Sequence, residues 1–262
     1  MNSASKKLIV NADDFGFTRD VNAGIVHAHR HGIVTATTLM ANGHAFADAV
    51  RLADETPSLD IGCHLVLIQG RSLVNGELLP TKWSELLERL IRRKIDPYSE
   101  LRAQLEKIFQ SGIRPTHLDT HKHTHVLPPV LSAVAKLAEE FDVPYLRMPF
   151  DADWRAVHWL SARYRARLQS AGVRSTDHFL GFRLTDSLNE SNLMATLLKV
   201  SAGCTELMCH PGYLREELRQ AATRLKEKRQ VELQALTSAR VRASIDQLGI
   251  ELTTYRGMAE AA

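Results

Sequence analysis

The sequence predicts an α/β fold, a TIM-barrel-like (β/α) barrel that is either complete or distorted and incomplete. Short apolar runs rich in β-branched residues alternate with amphipathic helical patterns along the chain, an arrangement typical of parallel β/α units. Seven or eight such strands in 262 residues suit a barrel. A doubly wound open sheet is the alternative, because strand order cannot be read from one sequence.

The individual elements follow from local patterns of hydrophobicity, turn residues and helix-capping residues. The predicted strands are Lys7–Asn11, Thr35–Ala41, Asp60–Leu67, Pro115–Asp119, Tyr145–Met148, Glu206–Cys209 and Glu251–Tyr255, with a further short strand near Phe179–Phe182. The predicted helices are Val21–His31, Ala45–Glu55, Lys82–Arg93, Ser99–Ser111, Pro128–Glu140, Arg155–Ala171, Glu190–Ser201 and Thr237–Leu248.

Composition indicates an ordinary globular protein. No change in composition marks a linker, so one domain spanning 1–262 is expected. Lys and Arg total 33 against 30 Asp and Glu, a net charge of +3 that gives no reason to expect nucleic acid as a partner. Basic runs at 163–167 and 224–229 are interpreted as solvated helix faces. Three cysteines without a C-x-x-C pair, and no signal-peptide or membrane-spanning run, predict a cytoplasmic protein.

Acidic and imidazole side chains follow four of the predicted strands. Asp13 and Asp14 follow the first strand and His64 lies in the third. The run HLDTHKHTH at 117–125 follows the fourth, and His210 follows Glu206–Cys209. Active sites of parallel α/β folds are built at the carboxyl ends of the strands, so these side chains are expected at one rim.

Two adjacent carboxylates repel each other unless a cation offsets their charge. A metal ion would explain the pair, with one Asp as its ligand and the other as a general base. A turn or helix cap is the alternative for Asp13 and Asp14. Histidines 121, 123 and 125 could face one side of a strand, whereas on a helix His121 and His125 would share a face.

Neighbouring residues suggest supporting roles. Asp119 could orient a histidine ring, and His210, whose unperturbed pKa would lie near 6.5, suits a general acid. Arg147 and Tyr213 are expected to bind substrate. Trp83, Trp154 and Trp159 are candidates for stacking on the rings of a substrate, although core packing is the alternative for these aromatic residues.

Five ordered motifs resemble the YdjC-like carbohydrate deacetylases, a family that includes chitooligosaccharide deacetylase and the hopanoid-biosynthesis-associated deacetylase. They are LIVNADDFG, GIVTATTLMANG, IGCHLVL, THLDTHKHTH and ELMCHPGY, and the resemblance runs from Leu8 to Tyr255. The stretch DHFLG at 177–181 is more similar to the hopanoid-associated branch.

The resemblance implies a TIM-barrel-like fold and a homodimer. It also implies hydrolysis of the acetamide of an N-acetylated sugar, an N-acetylglucosamine-containing oligosaccharide or glycolipid, with release of acetate. One divalent metal ion is implied, Mg²⁺ or Zn²⁺, with Mn²⁺ and Co²⁺ as further options.

The resemblance also assigns roles by position. The metal ligands fall on Asp14, His64 and His121, the catalytic base on Asp13 and the general acid on His210. His125 is the alternative to His121, and Lys122 between them is not expected to be a ligand. Other readings stay open: an ester or phosphoester hydrolase, a non-catalytic sugar-binding relative, or a structural metal domain.

Overall fold

In the part of the chain that the structure describes, eight parallel strands form one sheet. The structure is a computed structural model that describes residues 5–150 and 158–260. The strands run in the order β5-β4-β3-β2-β1-β7-β6, and β8 pairs with β1. Their bounds are β1 (Lys6–Phe15), β2 (Ala36–Leu39), β3 (Asp60–Leu65), β4 (His117–Thr120), β5 (Tyr145–Leu146), β6 (His178–Leu180), β7 (Gly203–Cys209) and β8 (Ile250–Leu252).

Helices follow most strands and cover the outside of the sheet. Local signals set their starts: the Thr18 hydroxyl accepts from the Val21 N–H before the first helix, and Pro128 opens the fifth. The helices are α1 (Arg19–His31), α2 (Phe46–Asp54), α3 (Trp83–Ile91), α4 (Pro97–Gln110), α5 (Pro128–Glu140), α6 (His158–Ser170), α7 (Glu190–Leu197), α8 (Glu216–Gln220), α9 (Glu227–Leu236), α10 (Ala239–Gln247) and α11 (Tyr255–Glu260). None of the helices in the described ranges is long and apolar enough to cross a membrane.

The sheet curls into an incomplete barrel. In a flat sheet β5 and β7 would lie about five strand spacings apart, roughly 24 Å. Arg147, directly after β5, instead reaches Glu206 on β7, with 2.7 Å between Nε and Oε1. On its open edge, β5 makes only an isolated parallel bridge in the described residues, from Tyr145 to Arg174 in the segment before β6. The predicted distorted or incomplete TIM-like barrel is therefore confirmed, and the open doubly wound sheet is wrong.

Several predicted bounds differ from the structure. β1 extends through both aspartates to Phe15, and β8 ends at Leu252 because Tyr255 begins α11. Helices α8 and α9 were not predicted. The basic run at 224–229 leads into α9, and Arg229 of that helix is 2% exposed. The interpretation of this run as a solvated helix face is therefore wrong at Arg229, which points into the protein.

The two faces of the sheet differ in chemistry. Leu8, Val10 and Ala12 of β1 belong to the large apolar core beneath the helices. The alternate residues Asn11 and Asp13 are also buried, on the face that lines the barrel. The barrel interior is therefore polar towards the carboxyl ends of the strands. Burial of charges there costs free energy unless every charge has a partner.

Arg147 supplies that partner. It has no exposed surface, and its guanidinium donates to Asp13, Asp119 and Glu206 at 2.7, 2.5 and 2.7 Å. The carboxylates come from β1, β4 and β7, so one side chain ties three strands together across the barrel. The Tyr164 hydroxyl donates to the Arg147 carbonyl at 3.0 Å and fixes its backbone. We call Arg147 and these three carboxylates the barrel network.

Removal of the Arg147 guanidinium should destabilise the protein strongly. Arg147→Met leaves three buried carboxylates without their cation, and breaking such a buried pair costs about 3–5 kcal/mol. Urea unfolding should show a loss of this size. Arg163→Met, on the exposed side of α6, is the control and should change the unfolding free energy by less than about 0.5 kcal/mol. A loss below about 1 kcal/mol in Arg147→Met would contradict the role of the network.

Candidate active site

The two adjacent aspartates reach the same cavity because the end of β1 is irregular. In a regular strand, Asp13 and Asp14 would point to opposite faces. The register between β1 and β2 shifts between Ala12 and Phe15, and Asp14 has a left-handed φ of 72°. Asp tolerates this conformation better than most residues. As a result, both carboxylates line one large cavity of the protein.

Three atoms that could bind a metal ion, one carboxylate oxygen and two imidazole nitrogens, lie close together beside this cavity. The Oδ1 of Asp14 lies 3.1 Å from Nδ1 of His121 and 3.4 Å from Nε2 of His64, and the two nitrogens are 3.2 Å apart. Asp14 Oδ1 is buried, and no donor meets it in good hydrogen-bond geometry. One carboxylate and two imidazoles could bind a divalent cation. Three such ligands would leave further coordination positions of the ion free. We call Asp14, His64 and His121 the metal cluster.

Neighbouring charges fix the ionisation of the cluster. Burial alone would lower the pKa of His64, but the carboxylate of Asp119, 2.7 Å from Nδ1, raises that pKa to about 10. Burial would raise the pKa of Asp14, yet the Arg229 guanidinium and the two histidines hold it well below its usual value. Asp14 is therefore an anion, and Asp119 fixes which His64 nitrogen faces the cavity.

Arg229 is a site residue that sequence reasoning missed. It comes from α9 and donates through Nη2 to Asp14 Oδ2, which leaves Oδ1 facing the histidines. Its Nε donates to the Leu225 carbonyl at 3.1 Å. The contact between Arg229 and Asp14 joins positions 215 residues apart. Arg229 also lies in a polar run that resembles a surface helix, so no local signal pointed to it.

Asp13 faces His210 across the cavity. Burial would raise the pKa of Asp13, but Arg147 lowers it below its usual value and keeps the group ionised. Asp13 Oδ2 lies 4.0 Å from Nε2 of His210. Burial lowers the pKa of His210 to about 4. This pKa is lower than the value near 6.5 of an unperturbed histidine, so His210 is neutral at pH 7 in the resting protein.

Glu232 supports His210 from behind and was also missed by sequence reasoning. It is 2% exposed, lies on α9, and its Oε2 accepts from the His210 backbone N–H at 2.6 Å. The same oxygen is 4.0 Å from His210 Nδ1. Burial raises the pKa of Glu232 to about 7, although the His210 N–H and Arg229 oppose that rise. A buried carboxyl group that titrates near neutrality therefore adjoins the histidine.

The segment His121–Val126 forms a short 3-10 turn with left-handed residues at Lys122 and His123. Neither the strand nor the helix geometry considered for the three histidines applies. His121 turns towards Asp14, whereas His125 is fully buried and its Nδ1 contacts the Thr120 hydroxyl at 2.5 Å. His121, and not His125, is therefore the histidine that the fold brings to the metal cluster.

The cavity has a volume of about 910 Å³ and a polar floor beneath largely apolar walls. The apolar wall residues include Trp83, Val126, Pro149, Phe150, Leu160, Phe182, Met208 and Leu225. Arg147 and Tyr213 do not line it: Arg147 lies below Asp13, and Tyr213 packs against His27 and Arg215. Trp159 is 62% exposed, and Trp154 lies outside the described residues.

Glu232 should make stability depend on pH with a predictable sign. Its pKa of about 7 in the folded protein exceeds its usual value, so the folded state holds a proton that the unfolded state releases between about pH 4.5 and 7. The unfolding free energy should therefore fall as pH rises through this window. Glu232→Gln should become more stable relative to wild type, by up to roughly 3 kcal/mol above pH 7.

Urea unfolding of chelator-treated protein at a series of pH values measures this difference. Glu227→Gln, on the exposed side of the same helix, is the control and should follow wild type throughout. A Glu232→Gln difference that does not change with pH would contradict the raised pKa of this group.

Comparison with known proteins places the chain in a family. The profile described as YdjC-like protein matches residues 7–247. Carbohydrate deacetylase of Brevibacillus brevis is 37% identical, with 95% of this chain and 98% of that protein aligned. Carbohydrate deacetylase of Geobacillus stearothermophilus is 37% identical over 95% and 96%. The crystal structure of a protein from Enterococcus faecalis described as a cellobiose-phosphate cleavage protein superposes with a TM-score of 0.82 at 29% identity, covering 97% of this chain and 99% of that chain. This chain therefore belongs to the YdjC-like family.

Proposed function

We propose that the protein is a metal-dependent carbohydrate N-deacetylase. It hydrolyses the acetamide of an N-acetylated sugar and releases acetate and the free amine. The observation that carries the proposal is the metal cluster, with Asp13 and His210 beside it at the floor of one cavity. The carbohydrate deacetylases to which the chain is similar over most of its length support the same substrate class.

The residues present fit a divalent cation. Asp14 Oδ1 is a buried anionic oxygen without a well-aligned donor, and it faces two imidazole nitrogens. Two nitrogens and one oxygen suit Zn²⁺, Mn²⁺ or Co²⁺ better than Mg²⁺, which prefers oxygen ligands. When bound, such a cation would polarise the acetamide carbonyl and acidify a water molecule.

The chain's own residues perform the proton transfers. Asp13 is ionised and lines the cavity, so it can accept a proton from the attacking water. Arg147 holds Asp13 in place through two hydrogen bonds of 2.7 Å. His210 is neutral at rest, so it takes up the proton that Asp13 accepted from the water; Asp13 Oδ2 and His210 Nε2 are 4.0 Å apart. This transfer restores the Asp13 carboxylate, which stabilises the His210 imidazolium until it protonates the leaving amine.

The cavity walls support an amphipathic substrate. Trp83, Phe150 and Phe182 offer aromatic faces for a sugar ring or an apolar substituent, whereas Lys122 and Arg224 add polar groups. An N-acetylglucosamine-containing oligosaccharide and a glycolipid both suit these walls. The proposed homodimer and cytoplasmic location rest on the sequence alone.

Phosphoester hydrolysis is a weaker candidate for this site. Two-metal phosphoesterases hold a second ion near the first. A second group of potential ligands in the described residues is Asp13, His64 and Asp119. The Arg147 guanidinium already binds both of its carboxylates, so a second cation would meet a fixed positive charge. These contacts favour a single ion and an amide or ester substrate.

Replacement of the two aspartates should separate catalysis from metal binding. Asp13→Asn removes the base but no ligand, so acetate release should fall by roughly 10²–10⁴ while metal content stays near wild type. Asp14→Asn should reduce both. The assay treats the protein with a chelator, restores it with Zn²⁺, Mn²⁺, Co²⁺ or Mg²⁺, and measures acetate from N-acetylglucosamine oligosaccharides and glycolipids. Metal content is measured by elemental analysis.

Lys228→Gln, on the exposed side of α9, is the control and should retain both properties. Asp13→Asn with most of its activity would contradict the assignment of the base. Wild-type protein that binds one ion per chain and releases no acetate from any of these substrates would contradict the deacetylase function.

A further inference from the structure

Gln69 occupies a constrained position at the edge of the metal cluster. It lies in the loop after β3, lines the large cavity and has a left-handed φ of 69°. Its backbone N–H donates to the Pro80 carbonyl at 2.7 Å, which fixes the loop there. A residue with a side chain adopts this conformation at a cost, so the surrounding contacts hold Gln69 in place.

The Gln69 side chain joins two parts of the site. Its Oε1 lies 3.3 Å from Nε2 of His121, and its Nε2 donates to the Ala222 carbonyl at 3.4 Å. A carbonyl can only accept, so the amide nitrogen must face Ala222 and the amide oxygen must face His121. With a cation bound beside Asp14 and His64, His121 would therefore carry its proton on Nε2 and offer the lone pair of Nδ1 to that cation.

We propose that Gln69 is a positioning residue that fixes the tautomer and ring orientation of His121 for metal binding. The inference rests on the metal site proposed above. His64 has the corresponding partner in Asp119, which is anchored within the barrel network. His121 is held instead by a neutral amide on a loop. Ligand histidines commonly donate their second N–H to such a partner, whose loss costs 10- to 100-fold in metal affinity.

The second bond of Gln69 links His121 to the cavity wall. Ala222 lies between α8 and α9, in the segment that also carries Arg224 and Leu225 of the wall and leads to Arg229. The segment contacts the partners of two ligands: the Ala222 carbonyl accepts from Gln69, which faces His121, and the Leu225 carbonyl accepts from Arg229, which binds Asp14. A displacement of residues 221–226 would reach both ligands.

The test compares two variants of Gln69 with a matched control in the full-length protein. Gln69→Leu keeps the volume but removes both polar atoms. Gln69→Glu keeps an acceptor for His121 and removes the donor to Ala222. Gln234→Leu, on the exposed side of α9, is the control. The readouts are the Zn²⁺ dissociation constant, from competition with a chromophoric chelator, and the visible spectrum of the Co²⁺-loaded protein, which reports on ligand geometry.

Gln69→Leu should bind Zn²⁺ about 10- to 100-fold more weakly and show an altered Co²⁺ spectrum. Gln69→Glu should bind at least as tightly as wild type, and Gln234→Leu should be unchanged. Equal affinity and spectra in Gln69→Leu and wild type would overturn the inference. If Gln69→Leu does not fold, weaker binding by Gln69→Glu would overturn it.

Two outcomes separate this inference from the proposed function. A wild-type protein that binds no divalent ion would overturn both. A wild-type protein that releases no acetate, yet loses metal affinity in Gln69→Leu, would overturn the deacetylase function and support the role of Gln69.

Discussion

A single buried guanidinium, that of Arg147, holds together three carboxylates from three strands of the barrel. Without it, Asp13, Asp119 and Glu206 would be like charges buried together without a cation. The same interaction prepares the site above it. Arg147 keeps Asp13 ionised and in place, and it anchors Asp119, which orients His64. The barrel network therefore determines both the stability of the barrel and the geometry of the site.

The second constraint is the path of the chain at the end of β1. The left-handed conformation of Asp14 turns two consecutive carboxylates into one cavity, where they face different cations. Asp13 faces Arg147, whereas Asp14 faces Arg229 with one oxygen and the histidines with the other. Different partners allow the adjacent aspartates to take different roles despite their identical chemistry.

Local sequence patterns favoured the barrel over an open sheet without excluding the latter, and they predicted residues at its carboxyl edge. Strand alternation and strand-end positions placed Asp13, Asp14, His64 and His210 at one rim, and the structure brings them together. The choice among the histidines 121–125 needed the left-handed turn at Lys122 and His123, which periodicity does not report. The resemblance to the family, by position, assigned His121.

Contacts between residues far apart along the chain could not be predicted from the sequence. Arg229 and Glu232 are buried on α9, whereas Glu227 and Lys228 of the same helix are exposed, so charge does not mark the outer face of this helix as it does in most amphipathic helices. Arg147 follows a strand, which suggested contact with substrate, but its position after β5 places it beneath Asp13. In both cases the fold pairs charges that are far apart along the chain, and a single sequence carries no record of such pairs.

Anomalous diffraction from crystals grown with Zn²⁺ or Mn²⁺ tests the proposed metal site most directly. One strong peak per chain is expected, about 2.0–2.2 Å from Asp14 Oδ1, His64 Nε2 and His121 Nδ1. Asp13 should lie beside the ion without ligating it. A peak bound instead by Asp13 and Asp119, or by His125, would contradict the assignment of ligand and base on which the proposed chemistry depends.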